Sequence, residues 1–245
     1  MYKLYNGDCL EVMKEIEDNS VDMILCDLPY GVTKNKWDSV IPLDIIWKEY
    51  NRIIKDNGAI ILFSQDLFSV NLIMSNIKMY KYKLFWKKDR PSGFLNAKRM
   101  PLKDVEEILI FYKKQPTYNP QMWEGKESHS VGKVEGEDFC KNNNNYGNFG
   151  RVNTKGNLKY PRQVLEYNRP HPPVHPTQKP VDLLEYLVKT YTNEGDIVLD
   201  NCMGSGSTGA ACMNTNRRFI GIELDENYFN IAKNRIEECV GESNG

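Results

Sequence analysis

The 245-residue sequence has few of the residues that build metal centres and disulfide frameworks. It contains three histidines and six cysteines, and no two cysteines form a CxxC pair. Several cysteines lie inside apolar patterns, which indicates reduced, mostly buried thiols. No Ser/His/Asp or Cys/His arrangement typical of covalent catalysis is visible either. The sequence therefore predicts neither a metal site nor a covalent nucleophile.

Long hydrophobic runs are also missing. No apolar stretch approaches the ~20 residues that cross a bilayer. The N-terminal segment MYKLYNGDCLEVMKE becomes polar within a few residues and lacks the apolar region of a signal peptide. We therefore expect no membrane partner and a cytoplasmic location.

The net charge of -1 hides an uneven distribution of charge. Residues 78–114 contain 11 Lys and Arg against 4 Asp and Glu, and residues 151–180 contain 6 against 1. The last 65 residues reverse this balance, with 5 against 11. Two basic segments around a polar stretch suit phosphate binding on one face. A lysine-rich surface that is simply solvated is the alternative interpretation.

Apolar runs and helical periodicity alternate in the first part of the chain. VDMIL and AIILFS predict buried parallel strands. Between them, apolar residues at helical spacing from Leu43 to Ile54 predict a helix that stops at Gly58. YKLFWKK and EEILIFYKK predict two further strands, separated by a basic loop.

The same alternation returns after Pro180. PVDLLEYLVKTYT predicts an amphipathic helix, DIVLDNC a strand, GSGSTGAACMN a turn that enters a helix, and RFIGIEL another strand. A last helix follows, with Asp225 near its N-cap. The predicted fold is α/β, a doubly wound and mostly parallel sheet.

Residues 115–172 have a different character. They are rich in Asn, Gly, Lys and Tyr, include NNNN at 142–145, and show no clear periodicity. A loop of this length inside a compact domain is usually functional or disordered. We therefore expect one domain, residues 1–114 and 173–245, with a loop-rich insert at 115–172.

The segment VLDNCMGSGST, residues 198–208, places glycines between a strand and a helix. Such a turn brings the backbone close to a ligand at the carboxyl edge of a sheet. Some 17 residues beyond Gly206 the next strand ends in Glu223, which can accept both hydroxyls of a ribose. These features predict a nucleoside cofactor. The glycines also fit the dinucleotide pattern G-x-G-x-x-G, so this segment alone leaves NAD open, as it does a tight turn without a ligand.

Four motifs occur together and in order: DLPY at 27–30, HPTQKP at 175–180, VLDNCMGSGST at 198–208 and FIGIELD at 219–225. This set resembles the S-adenosylmethionine-dependent amino DNA methyltransferases in the β arrangement, where the catalytic D/N/S-P-P-Y turn comes first and the cofactor glycines come last. The resemblance covers residues 4–114 and about 158–240. It implies a Rossmann-like methyltransferase fold, S-adenosylmethionine as cofactor and double-stranded DNA as partner.

The sequence departs from the family pattern in two places. Leu28 replaces the first proline of the catalytic turn, where only the backbone carbonyl is needed. Asn201 and Cys202 replace the Pro and Phe that usually precede the glycines. We expect the loss of that Phe to weaken packing beside the adenine of the cofactor.

The catalytic chemistry that the resemblance implies explains the turn itself. An exocyclic amine is a poor nucleophile until its lone pair is localised, and two acceptors against its N–H bonds achieve this. Asp27 and the carbonyl of Leu28 would be those acceptors, Pro29 would stiffen the turn, and Tyr30 would stack on the base. The target nucleotide would have to be flipped out of the duplex.

The resemblance also implies the remaining site residues. Glu223 would hold the ribose and Asp8 would lie near the cofactor adenine, while Lys179 would lie near the methionine carboxylate. The implied cofactor-binding residues are Asp8, Asp27, Thr177, Gln178, Lys179, Asp200, Gly204, Ser205, Gly206, Ser207, Thr208 and Glu223. The insert lies where this family keeps its target-recognition region. Basic residues, among them Lys98, Arg99 and Arg162, would contact DNA phosphates.

An acid at the first position of the turn favours adenine N6, whereas Ser there favours cytosine N4 in this family. N4-cytosine methylation is one alternative. Methylation of an amine in RNA or protein, as in the related Asn-Pro-Pro-Tyr enzymes, is another. A non-enzymatic DNA-binding module with a decayed cofactor site is a third, supported by Asn201 and Cys202. The resemblance also allows a homodimer, a separate restriction endonuclease and a nucleoid-associated location.

Overall fold

The structure is a computed structural model that describes residues 1–31, 40–126, 157–172 and 178–242. The chain divides into two compact units, of which the first comprises 1–119 and 163–245 and the second comprises 120–162. The NNNN segment lies outside the described residues. No helix in the described ranges is long and apolar enough to span a bilayer.

The first unit is built on an eight-stranded sheet within the described residues, and the second unit contributes a short antiparallel pair. The strands, in chain order, are β1 (Tyr2–Asn6), β2 (Val21–Cys26), β3 (Ile54–Ser64), β4 (Tyr80–Ser92), β5 (Lys103–Phe111), β6 (Trp123–Glu124), β7 (Leu158–Lys159), β8 (Val164–Tyr167), β9 (Ile197–Asp200) and β10 (Arg218–Glu223). The main sheet runs β1-β10-β9-β2-β3-β5-β4-β8, and β6 pairs with β7. β1, β10, β9, β2 and β3 are parallel, whereas β5 is antiparallel to both of its neighbours.

Helices cover both faces of the sheet. They are α1 (Cys9–Val12), α2 (Leu43–Ile53), α3 (Asp66–Ser75), α4 (Val181–Tyr191), α5 (Ser207–Asn214) and α6 (Glu226–Glu242). One buried cluster joins the sheet to α1, α2 and α3, and a second joins it to α4, α5 and α6. Neighbouring strand residues alternate between them: Met23 and Leu25 belong to the second cluster, Ile24 and Cys26 to the first. The doubly wound, mostly parallel α/β fold predicted from the sequence is confirmed.

The predicted end of α2 is wrong. The helix ends at Ile53, and β3 begins at Ile54 and continues through Gly58. A Cβ atom on Gly58 would lie 2.8 Å from the backbone oxygen of Asp22 in β2. Gly58 therefore allows two strands to approach closely, and this close packing, rather than helix termination, accounts for it.

The second unit is shorter than the predicted insert at 115–172. Residues 163–172 belong to the first unit because β8 pairs with β4 and completes the edge of the main sheet. At the other boundary, the side-chain amide of Asn119 donates to the carbonyls of Lys189 (3.2 Å) and Thr192 (3.0 Å). These contacts hold Asn119, the last residue of the segment 1–119, against the C-terminus of α4.

Candidate active site

Strand order places the two motif-bearing turns side by side. β2 and β9 are neighbours at the centre of the sheet, but β2 leads through α2 to β3 on one side and β9 through α5 to β10 on the other. Ligands of open α/β sheets bind at this kind of switch point, beyond the carboxyl ends of the strands. A cavity of about 350 Å³ opens there, lined by residues that follow β1, β2, β9 and β10 and by residues just before α4.

The predicted catalytic turn, residues 27–30, leaves β2 at the wall of this cavity. The hydroxyl of Tyr30 donates to Asp27 Oδ1 at 2.7 Å, and Lys179 Nζ donates to Asp27 Oδ2 at 2.5 Å. Burial and the charge of Asp27 raise the pKa of Tyr30, so its hydroxyl keeps the proton that it donates. The Tyr30 ring packs on Phe68 with 4.7 Å between centroids. Both carboxylate oxygens of Asp27 are thereby oriented.

Lys179 lies at the centre of the charges around the cavity. Its side chain is 8% exposed. Its ammonium nitrogen lies 2.5 Å from Asp27 Oδ2 and 3.3 Å from Glu106 Oε2. The Phe63 ring lies beneath it, 4.9 Å from centroid to Nζ. Burial lowers the pKa of Lys179, but the carboxylates of Asp27 and Glu106 outweigh burial and raise it to about 12. Lys179 is therefore charged at neutral pH, and its partners include two carboxylates of the protein.

The glycine turn, residues 201–206, is braced by the acid at the end of β10. The backbone amide of Gly204 donates to Glu223 Oε2 and that of Asp225 donates to Oε1, both at 2.8 Å. Burial raises the pKa of Glu223, while these amide hydrogen bonds oppose the shift. Each carboxylate oxygen has a second lone pair, so Glu223 can still accept hydrogen bonds from hydroxyl groups in the cavity.

Gly204 and Gly206 have different roles. Gly204 lines the cavity, so its backbone can approach a ligand. Gly206 has a φ of +78°, and a Cβ there would lie 2.9 Å from the Cα of Ala232 in α6. Gly206 therefore allows α6 to pack closely on the turn. Its expected contact with the methionine part of a cofactor stays a prediction.

Asp200, Ser205, Ser207 and Thr208 also line the cavity. Asp200 accepts hydrogen bonds from the Thr208 hydroxyl at 2.6 Å and from the Cys202 amide at 3.1 Å. Burial raises the pKa of Asp200 to about 6 although both hydrogen bonds favour its charged form. Asp200 thus holds the start of α5 against β9.

Of the remaining predicted cofactor residues, two line the cavity and one lies outside the described residues. Asp8 lines the cavity and caps α1, accepting from the Leu10 amide at 2.8 Å. Gln178 lines the cavity beside Lys179. Thr177 lies outside the described residues. Among the residues that the structure describes, no group of His, Cys, Asp and Glu side chains is arranged to hold a metal ion.

The sequence model of the DNA methylase family with N6 and N4 members matches residues 21–234. The chain belongs to this N6/N4 DNA methylase family. The match confirms the family that the four motifs resemble, and the β arrangement of those motifs stays a prediction.

Individual relatives agree with this assignment. The DNA adenine methyltransferase YhdJ of Escherichia coli (strain K12) is 30% identical over 250 residues, covering 96% of this chain and 82% of its own. The type II methyltransferase M.BglII of Bacillus subtilis is 27% identical, covering 94% and 67%. The crystal structure of an M1.HpyAVI–SAM complex superposes with a TM-score of 0.66 at 27% identity, covering 96% of this chain and all of that one. The fold is thus that of known DNA methyltransferases.

The departure at Asn201 has a structural explanation in this methylase. Asn201 is buried, and its side-chain oxygen accepts a hydrogen bond from the Tyr50 hydroxyl at 2.5 Å. This contact ties the glycine turn to α2. Cys202 lines the cavity together with Cys9 and Cys26, and burial raises the pKa of Cys26 to about 12, so that thiol is neutral. Asn201 therefore anchors this turn to α2, and the expected weaker packing beside the cofactor adenine stays a prediction.

Glu106 is a residue of the site that sequence reasoning missed. It lies on β5, and its Oε1 is 2.5 Å from Lys88 Nζ on β4. Burial raises the pKa of Glu106, but Lys179 and Lys88 outweigh burial and lower it below the usual value. No local signal in EEILIF distinguishes this acid from its neighbour, because strand pairing alone brings it to Lys179.

The predicted DNA-binding residues lie elsewhere. Lys98 and Arg99 are exposed in the connection between β4 and β5. Arg162 belongs to the second unit, where its guanidinium lies 4.9 Å from the centroid of Trp123. Part of the basic excess of residues 78–114 is neutralised by ion pairs: Lys83–Glu107, Lys87–Glu166, Lys88–Glu106, Lys103–Asp66 and Lys114–Asp56. The charge counts therefore overstate the positive surface of this segment.

Proposed function

We propose that this chain methylates the N6 amine of adenine in double-stranded DNA, with S-adenosylmethionine as the methyl donor. The observation that carries the proposal is Asp27: its carboxylate is oriented by Tyr30 and Lys179 at the wall of a cavity that also contains the glycine turn and Glu223. An acid in the first position of the catalytic turn favours adenine, and one relative is named an adenine methyltransferase.

The cavity fits the proposed cofactor in chemistry and size. Ligand sites of ~300–1,000 Å³ are typical of small molecules and cofactors, and this cavity is about 350 Å³. Glu223 offers carboxylate lone pairs to the ribose hydroxyls, and Gly204 offers backbone without a side chain to the methionine part. Asp8 lies in the same wall as the candidate for the adenine end. Gln178, with Thr177, is the candidate for the methionine carboxylate, since Lys179 already pairs with Asp27 and Glu106.

The protein's part in the reaction follows from the acceptors. When bound, S-adenosylmethionine supplies an electrophilic methyl group. Asp27 and the carbonyl of Leu28 accept hydrogen bonds from the two N–H bonds of the target amine and localise its lone pair. A carboxylate is far too weak a base to ionise that amine, so Asp27 acts as an acceptor while the nitrogen gains positive charge. Tyr30, supported by Phe68, offers the ring on which the flipped base stacks.

The second unit, residues 120–162, is the proposed core of the target-recognition region. Its Arg162 stacks on Trp123, an arrangement that holds a guanidinium in place for phosphate or base contact. Lys98 and Arg99 are proposed to contact phosphates from the exposed β4–β5 connection. A homodimer and a separate restriction endonuclease stay predictions from the resemblance.

Labelled-methyl transfer to duplex DNA, followed by digestion to nucleosides, tests the proposal. We expect labelled N6-methyladenine. Labelled N4-methylcytosine would replace the proposal with the N4 alternative. Label in RNA or protein but not in DNA would indicate a different acceptor, and binding of DNA without any transfer would indicate a non-enzymatic module.

A further inference from the structure

A line of four alternating charges runs from strands β4 and β5 to the catalytic turn. Lys88 Nζ lies 2.5 Å from Glu106 Oε1, Glu106 Oε2 lies 3.3 Å from Lys179 Nζ, and Lys179 Nζ lies 2.5 Å from Asp27 Oδ2. The side chains of Lys88 and Glu106 are 7% and 14% exposed. Shielded ion pairs contribute little net stability, because desolvation offsets their attraction. Stability alone is therefore a poor explanation for this line.

The neighbouring acid on β5 provides a comparison inside the same strand. Glu107 pairs with Lys83, and these side chains are 21% and 33% exposed. Successive strand residues point to opposite faces, so Glu107 and Glu106 leave β5 on opposite sides. Both acids join β5 to β4 through a lysine, but Glu106 alone of the two also contacts Lys179.

We propose that Glu106, held by Lys88, is a positioning residue for methyl transfer and acts through Lys179 on Asp27. The proposal rests on the function proposed above. A lysine ammonium has three donors, so Lys179 can serve two carboxylates at once. Shared with Glu106, it orients Asp27 without cancelling its negative charge. Paired with Asp27 alone, it would neutralise the acceptor that the target amine requires.

Removal of Glu106 also changes the titration of Lys179. Within the described ranges, the charged or titratable groups around this ammonium include Asp27 and Tyr30 in the turn, Glu106 on β5 and, behind Glu106, Lys88 on β4. Burial opposes the charge of Lys179, and two carboxylates sustain it. With one carboxylate gone, Lys179 loses its proton at a lower pH, and Asp27 then loses the donor on Oδ2.

The test compares Glu106→Gln with the matched control Glu107→Gln. Single-turnover methylation is measured with duplex and cofactor saturating, from pH 6 upward. We expect Glu106→Gln to lower the rate ~10- to 100-fold, the scale of one charge-assisted contact. Its rate should also fall at alkaline pH where the wild-type rate stays constant, while its cofactor Kd stays close to wild type. Glu107→Gln should stay within about twofold of wild type, as expected for a partly exposed pair.

Two further variants keep the proposal open to refutation. Lys88→Met leaves Glu106 in place but unsupported, and should slow transfer less than Glu106→Gln. In an Asp27→Asn background Glu106→Gln should have little additional effect, because the two residues act as one unit. Equal slowing by Glu106→Gln and Glu107→Gln, a normal rate in Glu106→Gln, or a full effect in the Asp27→Asn background would each overturn the inference.

The outcome for wild type separates this inference from the proposed function. A wild-type protein that binds DNA and cofactor but transfers no methyl group overturns both. A wild type that forms N6-methyladenine, together with an unaffected Glu106→Gln, overturns the role of Glu106 and leaves the proposed function standing.

Discussion

The two turns that form the cavity hold their acids in opposite ways. Glu223 and Asp200 accept hydrogen bonds mainly from backbone amides, at Gly204, Asp225 and Cys202, and Asp200 also accepts one from the hydroxyl of Thr208 in the helix that follows. Asp27 instead is held by side chains, and one of them, Lys179, lies 152 residues away in the chain. Backbone amides fix the shape of a turn, whereas a charged side chain sets the electrostatic state of the acid. The glycine turn is thus built for shape and the catalytic turn for charge.

The largest loss of activity is expected from substitutions of Asp27. Asp27→Ala should cut methyl transfer by at least ~10²–10³, the scale for losing one preorganised polar contact to a transition state. Single-turnover kinetics with saturating DNA and cofactor isolate this step. Asp27→Asn keeps the shape and one acceptor, so its rate should fall between wild type and Asp27→Ala. Transfer by Asp27→Ala at nearly the wild-type rate would show that the charge of this turn is irrelevant.

At Glu223 we expect a loss of binding instead of a loss of rate. Glu223→Ala should weaken S-adenosylmethionine binding by ~1.5–3 kcal/mol, the usual range for hydrogen bonds to a charged group. Calorimetry measures this directly. Glu223→Gln, which keeps one oxygen for the Gly204 amide, should lose less. Unchanged affinity in Glu223→Ala would place the ribose contact elsewhere.

A substitution at Gly206 tests the shape of the glycine turn without changing the charge of the site. Gly206→Ala should lower the free energy of unfolding by ~1–2 kcal/mol from the left-handed backbone alone, and more from the contact with Ala232, 2.9 Å from the new Cβ. Gly195→Ala is the matched control, because Gly195 also has a positive φ of +82° but has open space around it. Denaturant unfolding of both variants separates backbone strain from the contact, and equal losses would mean that α6 yields to the new methyl group.

At Asp200 we expect a change in the pH dependence of stability, which appears only within a narrow pH range. Burial raises its pKa to about 6, above the usual value of an aspartate. The folded state therefore binds the proton more tightly than the unfolded state. This contribution is fully present below about pH 4 and is lost as the pH rises through about 6. Asp200→Asn should flatten the stability profile between these values, as measured by denaturant midpoints. An unchanged profile would show that Asp200 titrates normally.

Much of the fold and of the cavity could be predicted from the sequence because the signals are local. The apolar runs of β2, β3 and β9 predict the buried strands that the structure has, and the turns after β2 and β9 predict a site at the edge where the cavity lies. Parallel strands bring their carboxyl ends to one edge, so two such turns and Glu223 had to meet. The match to the family and the confirmed fold follow from these local features.

The end of α2 and the position of β8 were decided by tertiary structure. The end of α2 at Ile53 depends on how β3 pairs with β2, since helical spacing alone continues to Ile54. The edge position of β8 depends on its pairing with β4, across residues that show no periodicity.

The local sequence determines which acids follow which strands. It does not determine the partner of each acid. Lys88 reaches Glu106, Glu106 reaches Lys179 and Lys179 reaches Asp27 only after strand pairing and the approach of the segment before α4. Hydrogen bonds to nearby amides are fixed by the backbone conformation of a few residues. Ion pairs between distant residues require the whole sheet to be assembled, because only the folded chain brings those charges together and shields them from water.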